Sequence, residues 1–160
     1  FYPGIVQMNY MTGELIKSYG NAPKMIIAMF DMGGSINTVE FHSEYHGHED
    51  SPKELLEAID KLDVDFSPRQ IAHVATLSAQ ANQKLVPKPH LEEIIKYSAT
   101  LGALGVNVAH SGTMVGVLFA PDESMKHVME AVEKIREKFP ELEYFETERL
   151  ISGGYDIEQR

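Results

Sequence analysis

Along the chain the apolar positions first alternate with polar ones, then run unbroken, and then settle into helical spacing. Gly4–Asn9 and Glu14–Tyr19 flank Thr12-Gly13, which is the spacing of a β-hairpin closed by a glycine turn. Lys24–Asp31 is a continuous apolar run of the kind expected of a buried strand. It ends at Asp31-Met32-Gly33-Gly34, where paired glycines let the backbone turn sharply. Ile36–His42 suits either a strand or a short helix.

The middle third carries helix start signals. Ser51-Pro52-Lys53-Glu54 and Ser67-Pro68-Arg69-Gln70 both match a capping box with proline at the first helical position. The first helix is expected to bury Leu55, Leu56, Ile59 and Leu62. The second is expected to present Ile71, Val74, Ala75, Ser78 and Ala81, a small-residue face that permits close packing. Pro87 and Pro89 break the chain before a third helix from His90 to about Leu101, with Leu91, Ile94, Ile95 and Ser98 on one side. Gly102 or Gly105 would supply its left-handed stop.

Gly105–Ala120 then reads as strand, tight Ser-Gly-Thr turn and second buried strand. Pro121-Asp122-Glu123 opens a last helix whose stripe is Met125, Val128, Met129, Val132, Ile135 and Phe139, and Pro140 stops it. Glu143–Ser152 closes the chain as a strand carrying Tyr144, Thr147 and Leu150. Strand pairs and helices are segregated, so the expected class is α+β: a ferredoxin-like antiparallel sheet with helices packed on one face, plus an N-terminal β-hairpin.

Composition narrows the functions open to such a domain. At 160 residues the chain suits a single core. The 24 acidic residues outnumber the 14 basic ones, for a formal net charge of −10, which disfavours nucleic acid and anionic membranes as partners. Cysteine is absent, so disulfides, thiolate metal sites and thiol catalysis are excluded for this chain. That agrees with an expected cytoplasmic location. An anionic small ligand stays open, because backbone N–H groups of a glycine loop bind phosphate without net positive charge.

Two stretches are candidates for such a site. In Ala109-His110-Ser111-Gly112-Thr113-Met114-Val115-Gly116, Gly112 and Gly116 let backbone approach a ligand, and Ser111 and Thr113 add hydroxyl donors. The same residues also suit a plain hairpin turn. Asp31, Gly33 and Gly34 follow a buried strand, a common place for ligand contacts, or form a turn in which Asp31 accepts local backbone hydrogen bonds. His42, His46 and His48 with Glu49 and Asp50 read as a polar loop ahead of a metal site, and none is expected. His110 beside Ser111 lacks a nucleophile elbow, which argues against serine-hydrolase chemistry. His73 and His127 read as structural or surface residues.

Three segments resemble the C-terminal half of the GHMP kinases. They are Tyr2-Pro3-Gly4-Ile5-Val6 with Thr12–Ile16, then Phe30–Phe41, and then Gly102–Thr113 with its composite string Gly-Val-Asn-Val-Ala-His-Ser-Gly-Thr. Within that superfamily the chain is most similar to the propanediol-utilisation type of L-threonine kinase in cobalamin biosynthesis. The resemblance implies that residues 23–160 are a GHMP kinase C-terminal domain. Residues 1–22 would be a β-hairpin belonging to a missing N-terminal kinase domain.

It implies further that the whole protein moves the γ-phosphate of ATP, with Mg2+, to the hydroxyl of a small-molecule substrate, most readily L-threonine. The Ser111–Gly116 loop takes the place of the superfamily's glycine-rich third motif, with Met114 and Val115 where small residues are commoner. His110, Ser111, Gly112, Thr113, Gly116, Asp31, Gly33 and Gly34 are thus the expected ATP- or substrate-binding residues. The catalytic aspartate would lie upstream of Tyr2-Pro3-Gly4, as would the main phosphate loop. The chain starts at Phe1, and alone it is expected to be inert and to hold no cofactor tightly. The alternative is a non-catalytic ferredoxin-like module for ligand binding or dimerisation. Apolar hairpin residues such as Ile5 and Ile16, if exposed, would favour a homo-oligomer.

Overall fold

The computed structural model describes residues 4–8, 12–34, 52–84, 86–109 and 112–151. Strands β1 (Ile5–Met8) and β2 (Leu15–Gly20) pair as the expected antiparallel hairpin, with Gly13 at φ 71° in its turn. The hairpin leans on the body of the chain. Lys17 Nζ lies 2.5 Å from the Asp63 carboxylate, and Tyr19 stacks on Phe66 with ring centroids 6.0 Å apart. That ion pair raises the Lys17 pKa. Ile16 is 59% exposed and Ile5 half-buried.

The main sheet holds β3 (Met25–Asp31), β4 (Gly105–Val108), β5 (Met114–Phe119) and β6 (Glu143–Leu150) in the order β4-β5-β3-β6. Every neighbouring pair is antiparallel. With helices between β3 and β4 and between β5 and β6, this is the ferredoxin-like arrangement. Register sorts the side chains by face. Ile26, Ala28 and Phe30 lie level with Phe119, Val117 and Val115, and Val117 and Val115 with Val106 and Val108. All of these are buried, and they form the core together with Leu91, Ile94, Val128, Val132 and Ile135 from the helices. A smaller cluster joins Met25, Ala72 and Leu118.

Helix α1 (Lys53–Asp60) starts one residue later than expected, and Ser51 lies outside the described residues. Leu55, Ala58 and Leu62 point inward, whereas Leu56 is 48% exposed, contrary to expectation. The short helix runs directly into a 3-10 turn, Lys61–Asp63, so only one line of residues meets the body. Helix α2 (Pro68–Asn82) has Pro68 in its first turn, and Ser67 accepts from the Gln70 N–H at 3.2 Å, as expected. The return half of that box differs. Gln70 Nε2 donates to the Ala58 carbonyl at 2.8 Å, tying α2 to α1, while the Asp65 carboxylate accepts from the Ser67 N–H at 3.1 Å.

The inward face of α2 follows the predicted stripe only in part: Ile71 and Ala75 pack against the smaller cluster, but Ala72, Ala79 and Asn82 are the buried residues, and Val74, Ser78 and Ala81 are only half-buried. The cause is a close approach to β4. A Cβ on Gly105 would sit 2.5 Å from the Ala72 carbonyl oxygen and 2.5 Å from Thr76 Oγ1. Thr76 accepts from the Val106 N–H at 2.9 Å and donates to the Ala72 carbonyl at 2.8 Å, so α2 satisfies backbone on the outer strand β4. The other outer strand, β6, carries Glu143, Glu146, Glu148 and Arg149 as exposed residues, which discourages strand addition there.

Helix α3 (Leu91–Thr100) follows His90, which adopts φ 57°, and ends at Gly102 with φ 88°. Gly102 is therefore the left-handed stop, and Gly105 is a strand residue. Helix α4 (Met125–Lys138) is capped by Ser124, whose hydroxyl accepts from the His127 N–H at 3.1 Å; the start falls later than Pro121-Asp122-Glu123. Met125, the first residue of that helix, is 39% exposed. His127 is structural, with Nε2 2.9 Å from the Leu101 carbonyl. In β6 a bulge at Phe145 puts Tyr144 level with Phe30 and Glu146 level with Met29, so Tyr144 and Thr147 share a face despite their odd spacing. Ile36–His42 and the loop of His42, His46 and His48 lie outside the described residues.

Candidate functional site

The two candidate stretches, some eighty positions apart in sequence, meet at one end of the sheet. Asp31 is the last residue of β3 and lies level with Met114, the first residue of β5. One further hydrogen bond continues the pairing on each side, from Met32 N to the Thr113 carbonyl at 3.0 Å and from Ala109 N to the Met114 carbonyl at 2.9 Å. The turns after β3 and before β5 therefore lie side by side, about one strand spacing of 4.8 Å apart.

Asp31 links them. Its carboxylate accepts from the Thr113 hydroxyl and from the Gly33 N–H, the latter at 2.9 Å, and these donors hold its pKa below the usual carboxylate value. The group is thus ionised at neutral pH. The Asp31-centred turn exists as expected, and it also reaches across to Thr113. Gly33 and Gly34 take φ 72° and 83°, a backbone that side chains rarely adopt, and among the described residues no atom beyond their chain neighbours lies within 4 Å of where their Cβ atoms would be. Glycine is needed there for conformation.

Gly112 and Thr113 are half-buried at the edge of this end. Gly116 lies deeper, within β5 and between Met29 and Asn107 in the register. A Cβ there would collide with the Asn107 side chain and approach Ile27 Cγ2 at 3.0 Å, so its smallness serves the packing of Asn107 across the strand. His110 and Ser111 lie outside the described residues. Among the described residues no group of three or more His, Asp or Glu is placed to hold a metal ion, and no helix is long and apolar enough to cross a membrane. Sequence reasoning passed over Lys88, which is buried although charged; the prolines on either side of it were its only sequence signal.

A four-stranded ferredoxin-like sheet with a glycine-bearing turn at the end of its central strands defines the class, and residues 55–138 match the family GHMP kinases C terminal. The chain belongs to the GHMP kinases. Its relatives in sequence are called L-threonine kinase: that of Citrobacter freundii is 24% identical over 147 residues, covering 85% of this chain and 49% of the relative. That of Salmonella typhimurium is 40% identical over 52 residues, 32% of this chain and 17% of the relative. Among solved structures, L. major mevalonate kinase in complex with R-mevalonate superimposes with a TM-score of 0.60 at 16% identity, over 90% of this chain and 47% of that one. Homoserine kinase from Cytophaga hutchinsonii gives 0.55 at 15% identity, over 95% and 49%. These two share the fold. The chain spans about half the length of the Citrobacter relative and of both structures.

Proposed function

We propose that this chain is the C-terminal half of an ATP-dependent kinase whose acceptor is the hydroxyl of L-threonine. The observation that carries the reading is the meeting of Asp31–Gly34 with Gly112–Thr113 at one end of the sheet, in a chain of a kinase family with L-threonine kinases among its relatives. The acceptor oxygen would form a bond to the γ-phosphorus of MgATP as the bond to the leaving ADP oxygen breaks. The hydroxyl proton would pass to a base on the other half of the protein. Such a reaction relies on positioning and charge stabilisation, which a cleft between two domains supplies.

The residues at this end divide the work by charge. An ionised Asp31 repels phosphate oxygens and attracts the ammonium group of an amino acid, so it suits the acceptor better than the nucleotide. Thr113, whose hydroxyl proton points to Asp31, keeps oxygen lone pairs to accept from the same ammonium. Backbone at Gly112, with Ser111 and His110 beside it in sequence, would face the phosphates. Ligands for Mg2+ would come from the other half, because the described residues offer no carboxylate cluster.

The test is phosphorylation by the intact protein with ATP and a panel of L-threonine, L-serine, L-homoserine and mevalonate. L-Threonine is expected to be the preferred acceptor, and the present chain alone to show no turnover. Preference for a substrate lacking the ammonium group would overturn the acceptor assignment. Micromolar binding of L-threonine by the isolated chain, with no turnover by the intact protein, would favour the non-catalytic module instead.

A further inference from the structure

Lys88 is 4% exposed, and among the described residues its Nζ is the single buried side-chain nitrogen or oxygen without a hydrogen-bond partner. Burying an unpaired ammonium is costly, and burial lowers its pKa accordingly. The surroundings nevertheless hold this residue firmly. Pro87 and Pro89 restrict the backbone on both sides. The Gln83 side-chain amide clamps Lys88 itself: Nε2 donates to the Lys88 carbonyl at 3.0 Å, and Oε1 accepts from the Lys88 N–H at 2.5 Å. A lysine fixed in place and left without a partner is an anion site in waiting.

Its position in the fold fits that role. Helix α2 runs alongside β4 in the same direction, with Ala72 and Thr76 against Gly105 and Val106, and Ala79 in one core cluster with Val108. From Thr76 to Gln83 the helix advances about 10 Å, at about 1.5 Å per residue. From Val106 to Ala109 the strand advances about 10 Å, at about 3.3 Å per residue. Gln83 and the turn it clamps therefore reach the end of the sheet where Ala109, Gly112, Thr113 and Asp31 lie.

We propose that Lys88 binds an anionic oxygen group of a bound substrate, either the acceptor carboxylate or a phosphoryl group of the nucleotide. This rests on the kinase reading above for its substrates. With Asp31 facing an ammonium and Lys88 a carboxylate, both charged ends of an amino acid would be recognised.

The test is Lys88→Met in the intact protein, which keeps length and apolar contact but removes the charge. The variant is expected to melt several degrees higher than wild type, because a buried unpaired charge has gone. It is also expected to show a roughly 10–100-fold higher KM for one substrate, the scale of one charge-assisted hydrogen bond. If that substrate is L-threonine, and 1-aminopropan-2-ol shows no difference between wild type and variant, the carboxylate is the ligand; if it is ATP, a phosphoryl group is. Kinetics within twofold of wild type, or a sharply lowered melting temperature, would overturn the proposal. Should wild type phosphorylate none of the panel, the kinase reading fails but Lys88 can still be judged. Millimolar inorganic phosphate or acetate should then stabilise wild type and not Lys88→Met, and equal stabilisation of both would sink the anion site.

Discussion

Phe30→Ala is expected to cost about 3–5 kcal/mol of stability, the usual range for deleting a fully buried aromatic ring. Phe30 has no exposed surface and meets the Tyr144 ring edge-on, with centroids 5.8 Å apart. It lies level with Val115 on one side and Tyr144 on the other, so it packs at the middle of the sheet, directly before Asp31. Helices α3 and α4 are held over that face, and neither can close a cavity without leaving the strands it already contacts. Since a domain's whole stability is about 5–15 kcal/mol, the loss would bring the protein near unfolding at ordinary temperature. Urea denaturation should show a lowered midpoint with an unchanged slope. A loss below about 1 kcal/mol would mean that the ring is not the core residue described here.

Gly105→Val is expected to be nearly as damaging, for a different reason. The obstacle is the Ala72 carbonyl, a backbone atom that moves only if α2 moves. Displacing α2 would also leave the Val106 N–H without Thr76 Oγ1. Overpacking of this kind costs about 1–3 kcal/mol, and an orphaned donor costs about 1–3 kcal/mol more. Thr76→Val separates the two contributions, because it removes the hydroxyl and keeps the shape; its loss should be the smaller. A Gly105→Val protein that melts with wild type would refute the close docking of α2.

Much of this fold was legible in the residues. Ser67-Pro68 marked a helix start that the structure reproduces, the Lys24–Asp31 run marked a buried strand, and Gly102 was one of two residues named for the stop of α3. The rotation of α2 was not legible. Small residues occur on several sides of it, so apolar spacing does not choose a face; the choice was made by Gly105, far away in sequence. Likewise Gln70 matched a capping box but found the Ala58 carbonyl, a tertiary partner that local pattern cannot supply.

For the site, residue types identified both turns but not their union. Asp31 meets Thr113 because β3 and β5 pair with Asp31 level with Met114, and register is a property of the assembled sheet. Gly116 illustrates the converse: its spacing suggested a loop glycine, and the structure places it within a strand under Asn107. Lys88 was hidden because its flanking prolines mark a restricted backbone but do not show that its side chain is buried.

The claim that this end of the sheet forms a wall of the kinase cleft is tested most directly by amide hydrogen exchange of the intact protein, with and without L-threonine and a non-hydrolysable ATP analogue. Exchange is predicted to slow at Gly33, Gly34, Gly112 and Thr113 when both ligands are bound. Unchanged exchange at these four residues, with protection confined to other regions of the chain, would contradict it.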